Sequence, residues 1–221
     1  MGNTYGLPSW GALGKCLLCC LIGYLLGNFS LSYLLVRRRG FDVRKDGSGN
    51  AGASNAFILA GGAAFFAVAI SDVLKAFIAC RLCRLLFPDL QIAPQLAGVA
   101  CIFGHMYPVA LGFRGGKGLA SLGGVALQWD WRCFLVLFFV AVLIVMLTRY
   151  VCFVAPTMSV VFPLCFYLES GLILASLILL LPAAPIFVKH MVNFSRIRQG
   201  TEPRISYLWN RDSELKRIGR K

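Results

Sequence analysis

The sequence predicts an all-α integral membrane protein, a bundle of about seven transmembrane helices. Three observations carry this. Of 221 residues, 58% are hydrophobic and 14% charged, against about 25% charged in an ordinary soluble domain, and the mean hydropathy is +0.75. The apolar residues fall in long unbroken runs, without the period-two alternation of a membrane β-barrel. The basic residues collect between and after those runs, as the positive-inside rule expects.

A spanning helix needs about 20 apolar residues. Seven segments meet or approach this: 13–36, 54–80, 93–112, 116–128, 132–148, 151–168 and 170–191. The first is too long for the apolar part of a signal peptide and meets no small-residue cleavage site before its basic stop, so it reads as a span. The fourth is short and reads as a helix that dips or packs inside the bundle. Small residues at Gly61-Gly62-Ala63-Ala64 and Gly123-Gly124 suit close helix contact. The length suits one domain, taken as residues 1–205, with a basic cytoplasmic tail over 206–221.

Seven spans put the termini on opposite sides. With the N-terminus outside, 17 of the 22 Lys and Arg face the cytoplasm, four (Lys15, Arg81, Arg84 and Arg132) face out, and Lys75 lies within a span. The net charge of +13 is therefore explained by membrane topology and anionic headgroups rather than by nucleic acid. Most of the nine cysteines sit in apolar runs as small hydrophobes, and Cys80-x-x-Cys83 lacks a thioredoxin context. Two histidines and scattered carboxylates give no metal-ligand cluster.

Three polar runs interrupt the apolar text, all on the cytoplasmic side in this orientation. Gly47-Ser48-Gly49-Asn50-Ala51-Gly52 matches a G-x-G-x-x-G pattern, and Asp72 follows 20 residues on, but spans on both sides replace the strand and βαβ unit that a dinucleotide fold requires. Ser54 and Asn55 then stand where they can cap the next span. His105 opens the second run, which reaches Arg114-Gly115-Gly116-Lys117-Gly118; it is not a Walker A loop, since Gly118 stands where Ser or Thr should follow the Lys. Its physics still suits phosphate: glycines admit an oxyanion to the backbone, a helix N-terminus follows, and Lys117 adds a full charge. The third run holds His190, Asn193 and Glu202. Asp72 and Lys75, at i, i+3 inside an apolar span, read as a salt bridge that anchors the helix, with substrate contact by Lys75 as the other reading. Together these runs point to a membrane protein that handles a phosphorylated substrate.

From about Gly27 to Glu202 the chain resembles the bacterial acyl-phosphate-dependent glycerol-3-phosphate acyltransferase family, the PlsY type. Asp42-Val43-Arg44 leading into Gly47 through Asn55 looks like its first motif, Gly104-His105-Met106-Tyr107-Pro108 with Phe113 through Gly118 its second, and His190-Met191-Val192-Asn193 with Arg196 and Gly200-Thr201-Glu202 its third. The resemblance implies a seven-helix fold in the bacterial cell membrane with a site open to the cytoplasm. It implies acyl transfer from acyl phosphate to the sn-1 hydroxyl of glycerol 3-phosphate, the first step of phospholipid synthesis, with no cofactor and no metal. It implies that Ser48, Lys117, His190 and Asn193 form the catalytic set. Substrate binding then falls to Gly47, Gly49, Asn50, Gly52, Asn55, His105, Arg114, Gly115, Gly116, Gly118 and Glu202. Backbone N–H groups of the two glycine runs are expected to hold a phosphate, and His190 or the donor's own phosphate to take the proton.

Two positions depart from the family pattern: Ser54 replaces the usual Thr, a mild change, and the other departure matters. Ten residues after Ser48, where the family has a phosphate-binding Arg, stands Ile58. An isoleucine cannot replace a charged fork of donors, so Arg44, Arg114 or Arg196 compensates, or the acceptor differs, or activity falls. Two other readings remain: a transporter of a phosphorylated solute, weakened by the absence of an internal repeat and by motifs gathered on one face, and a lipid-precursor-binding paralogue without turnover.

Overall fold

The computed structural model describes residues 10–210 with Ser213, Lys216 and Arg217. Among these described residues ten α-helices run in order: α1 Trp10–Asn28, α2 Leu31–Arg37, α3 Ala53–Ala60, α4 Gly62–Leu86, α5 Ala93–Met106, α6 Leu119–Trp129, α7 Trp131–Thr148, α8 Val154–Ser170, α9 Ile173–Leu180 and α10 Ala183–Arg198. Short 3-10 turns fill several joints, and no strand occurs among the described residues.

Each of the seven apolar segments becomes helical. Among the described residues, five helical stretches are long and apolar enough to cross a membrane: Gly11–Arg37, Gly62–Leu86, Trp131–Thr148, Val151–Ser170 and Ile173–Arg198. The 14-residue α5 and 11-residue α6 are shorter than a bilayer core, so the count of seven is approximate.

Three segments expected as single helices are broken. The first breaks after Asn28, where Ser30 caps α2 by accepting from the Tyr33 N–H at 3.3 Å and Lys75 Nζ donates to the Gly27 and Phe29 carbonyls at 3.2 and 2.9 Å. The second breaks at Gly61, whose φ of +88° lies in the left-handed region open to glycine. That glycine faces open space, which corrects the expectation that it serves helix contact. The last breaks between α9 and α10 at Leu181-Pro182.

The closest helix contact lies elsewhere. α1 packs along α5, and Gly23 and Gly27, four residues apart, face Ala97, Cys101 and Gly104. A Cβ on Gly104 would sit 2.3 Å from the Tyr24 carbonyl oxygen, and one on Gly23 would sit 2.1 Å from that of Ala97. Gly124 makes a similar approach to α4, where a Cβ would lie 2.1 Å from the Val73 oxygen. In lipid, helices gain little from apolar burial and associate through such packing. Gly104→Val is expected to destabilise the bundle by roughly 3 kcal/mol, because backbone cannot yield as a side chain does. Gly14→Val, with nothing near its Cβ, is the neutral control, and thermal unfolding in detergent measures both.

The main core centres on Ile102, Met106, Phe162, Phe166, Leu179 and Ile186. A smaller core of Val36, Val43, Ala51, Ala56, Ala64, Val68 and Leu111 lies under the first polar loop. By contrast α7 buries only Leu137 and presents Phe138, Phe139, Leu143, Met146 and Leu147 outward. Lys15 pairs with Asp89, joining α1 to the α4–α5 loop at the end of α4 away from the polar runs. Arg211, Arg220 and Lys221 of the basic tail lie outside the described residues.

Candidate active site

The first polar run is folded around one side chain. Asn55, fully buried near the start of α3, accepts the Ser48 N–H at 2.7 Å and donates to the Val43 and Asp46 carbonyls at 3.0 and 3.1 Å. Asp42 completes the turn: its own N–H donates to the Asp46 carboxylate, and its carboxylate accepts both Nε and Nη2 of Arg44 at 3.0 and 2.9 Å. That guanidinium holds the Asp42 carboxyl down to about 2, so the pair stays ionised at any physiological pH. Gly47 turns with φ +63°, and a Cβ there would meet Asn55 Oδ1 at 2.2 Å. The turn presents Ser48, Asn50 and Gly52 to a cavity.

The second run is anchored to the end of α5. Gly115 and Gly116 donate their N–H groups to the Met106 and His105 carbonyls at 3.2 and 3.0 Å. A Cβ on Gly116 would lie 2.1 Å from His105 Nε2. Lys189 of α10 donates to the Met106 and Gly116 carbonyls at 2.7 and 3.1 Å and lies 4.6 Å from the centre of the Tyr107 ring. The loop thus delivers Lys117 and Gly118 to the cavity at the N-terminus of α6.

The third run lies on one face of α10. His190 and Asn193 are buried at i, i+3, and Glu202 returns to them through a turn in which Thr201 and Glu202 donate to the Arg196 carbonyl at 2.8 and 3.2 Å. Lys117 Nζ donates to Asn193 Oδ1, and Asn193 Nδ2 donates to Glu202 Oε1. Burial lowers the Lys117 ammonium below its ordinary range, Glu202 pulls it back up, and Arg196 pushes it down again. His190 Nδ1 lies 2.7 Å from the Ile186 carbonyl, which can only accept. The proton therefore sits on Nδ1 in the neutral ring, and Nε2 keeps its lone pair.

The cavity these parts enclose measures about 250 Å³. Of the residues singled out from sequence, Ser48, Asn50, Gly52, His105, Lys117, Gly118, His190, Asn193 and Glu202 line it. Gly47, Gly49, Asn55, Gly115 and Gly116 stand behind that lining and shape the two loops, and Arg114 is exposed on the far side of its turn. Part of the expected cradle of amides is spent within the protein: Ser48, Gly49, Gly115 and Gly116 donate to protein acceptors. What faces the cavity is side-chain charge, Lys117 and Arg196, with the α6 N-terminus beside it.

Ile58, Phe65 and Ala69 add an apolar wall. Asp72 also reaches the cavity. Its Oδ1 lies 2.7 Å from Lys75 Nζ and 3.3 Å from His105 Nδ1, so the expected i, i+3 pair is a three-member cluster. His105 was not readable as its partner, since 30 residues separate it from Lys75. Lys189 was also missed; its one signal was a lone Lys beside His190 inside an apolar run. No group of three metal-ligating side chains occurs among the described residues.

Apolar spans around a pocket lined by Lys117, Arg196, two histidines and two asparagines define a multi-pass membrane protein with a cation-bearing polar site. The glycerol-3-phosphate acyltransferase family model matches residues 17–200, and the chain belongs to that family. It is 38% identical to the glycerol-3-phosphate acyltransferase of Geobacillus kaustophilus, covering 86% of this chain and 96% of that one. It is 34% identical to that of Mesorhizobium japonicum, covering 91% and 97%. The crystal structure of PlsY, an integral membrane glycerol 3-phosphate acyltransferase, in its glycerol 3-phosphate form superposes with a TM-score of 0.80 at 30% identity, covering 88% of this chain and 98% of that one. Its lysophosphatidic acid form gives 0.76 at 30% identity, covering 86% and 95%.

Proposed function

We propose that this glycerol-3-phosphate acyltransferase takes its fatty acyl group from acyl phosphate and passes it to the sn-1 hydroxyl, giving lysophosphatidic acid and inorganic phosphate. The observation that carries the reading is the meeting of three motifs, separated by up to about 150 residues of sequence, around one cavity with two cations. The acceptor oxygen attacks the acyl carbon, the carbon–oxygen bond to phosphate breaks, and the leaving phosphate keeps the electron pair. Such a mixed anhydride has a good leaving group, so positioning and charge neutralisation supply most of the catalysis. Lys117 takes phosphate charge, Ser48 and Asn193 orient the substrates, and His190 Nε2 or the donor phosphate accepts the hydroxyl proton.

Arg196 answers the loss of charge at Ile58. Arg44 is held in a fork by Asp42, with its guanidinium carbon 5.6 Å from the centre of the Tyr33 ring, and Arg114 is exposed outside the cavity, whereas Arg196 lines it. We place the protein in the bacterial plasma membrane, N-terminus outside and cavity toward the cytoplasm, on the 17-to-4 charge bias.

Purified protein in lipid cubic phase or detergent, given palmitoyl phosphate and glycerol 3-phosphate, is expected to form lysophosphatidic acid, and to form none from palmitoyl-CoA. Product from the CoA ester alone would overturn the donor assignment. Activity retained in His190→Ala would assign the proton to the donor phosphate.

A further inference from the structure

The cavity's charged chain ends in a turn that a tail residue holds from outside. Glu202 is buried, and its carboxylate accepts from Asn193, which in turn accepts from Lys117. The turn that carries Glu202 starts at Gly200, with φ +70°, and is fixed on one side by donation to the Ile197 and Arg196 carbonyls. On its other side the Arg217 guanidinium bridges it: Nη1 donates to the Gly200 carbonyl at 2.9 Å and Nη2 to the Glu202 carbonyl at 2.7 Å. Two donors of one rigid fork thus hold both ends of the turn from which Glu202 points inward. Arg217 lies beyond residues 17–200 matched by the family model.

We propose that Arg217 is a positioning residue for acyl transfer, clamping the Gly200–Glu202 turn so that Glu202 holds Asn193 and Lys117 in register. A charge-assisted pair of hydrogen bonds is stronger and more directional than neutral ones, and only a planar fork serves both carbonyls at once. The basic tail then joins the reaction site through this contact, and removing the contact loosens the acidic end of the chain while leaving the cavity walls in place. The proposal rests on the reading that Lys117, Asn193 and Glu202 serve the reaction.

The test is a double-mutant cycle on the full chain, read as kcat/KM for glycerol 3-phosphate with palmitoyl phosphate as donor. Arg217→Ala is expected to lose about tenfold, with its thermal midpoint unchanged, and Arg217→Lys, which keeps the charge without the fork, to recover only part. In the Glu202→Ala background, which removes the acceptor of Asn193, the same Arg217→Ala change is expected to cost nothing further, because both changes cut one chain of contacts. Full activity in Arg217→Ala, or an equal further loss in the Glu202→Ala background, would overturn the proposal. Should Arg217→Ala fail to fold, Arg217→Lys enters the same cycle. An inactive wild-type protein would instead count against the reaction itself, which keeps the two failures apart.

Discussion

Lys117→Ala is expected to cut lysophosphatidic acid formation by about 10²–10³-fold, the loss typical of removing one preorganised charge-stabilising group. The protein should still fold, since the side chain reaches the cavity from a loop whose anchors, Gly115, Gly116 and Lys189, are untouched. The leftover Asn193 oxygen costs about 1 kcal/mol at most if water reaches it. Lys117→Arg is not a conservative repair, because a planar fork cannot occupy the place of a point charge bonded to Asn193. The pH profile gives a second readout. Burial lowers the Lys117 pKa from its usual 10.5, so the charge that the proposed mechanism sets against phosphate is present at low pH and is lost as pH rises through that depressed value. The alkaline limb of kcat/KM, which reports free enzyme, should therefore fall below the ordinary lysine range. A bound phosphate favours the ammonium, so the corresponding limb of kcat should lie higher. Coincident limbs at the ordinary value would show that Lys117 does not carry the substrate charge.

Asp72→Ala is expected to have the largest effect on stability. It leaves the Lys75 ammonium buried in the bundle with two helix-end carbonyls and His105 but no anion. Removing one partner of a buried pair costs about 3–5 kcal/mol, enough to consume much of a marginal protein's stability. Asp72→Asn, which keeps an acceptor, should cost less. The joint replacement Asp72→Leu with Lys75→Leu should recover part of the loss, but only part, because Lys75 also satisfies the carbonyls where α1 ends. Thermal unfolding in detergent distinguishes these outcomes. An Asp72→Ala protein as stable as wild type would mean that water reaches the cluster.

Hydropathy located a helix in every predicted segment because lipid leaves the backbone few alternatives to internal hydrogen bonding. It did not locate the breaks. The one after Asn28 depends on Lys75, 46 residues from Phe29 in sequence, and no local pattern encodes that. The break at Pro182 was readable in principle, since proline removes a donor. Ser48, Lys117, His190 and Asn193, singled out from the motifs, line the cavity, but residue type did not say which way a loop faces. Asn55 is a polar residue in a glycine-rich run, and so is Asn50; one knits the loop and the other lines the cavity. Gly115 and Gly116 looked like an anion cradle, yet their amides close the loop onto α5. Whether an N–H is spent at home is a tertiary fact.

The helix Trp131–Thr148 fully buries one side chain, Leu137, and sets Val140, Ala141, Ile144 and Val145 partly buried against the core. Its remaining surface answers to acyl chains, which accept leucine, valine or phenylalanine alike. Selection can therefore hold its length and greasiness while leaving the order of its residues free. Scrambling the outward positions of this span should leave a working protein, whereas the same treatment of α5, with glycines pressed on a neighbour's backbone, should not.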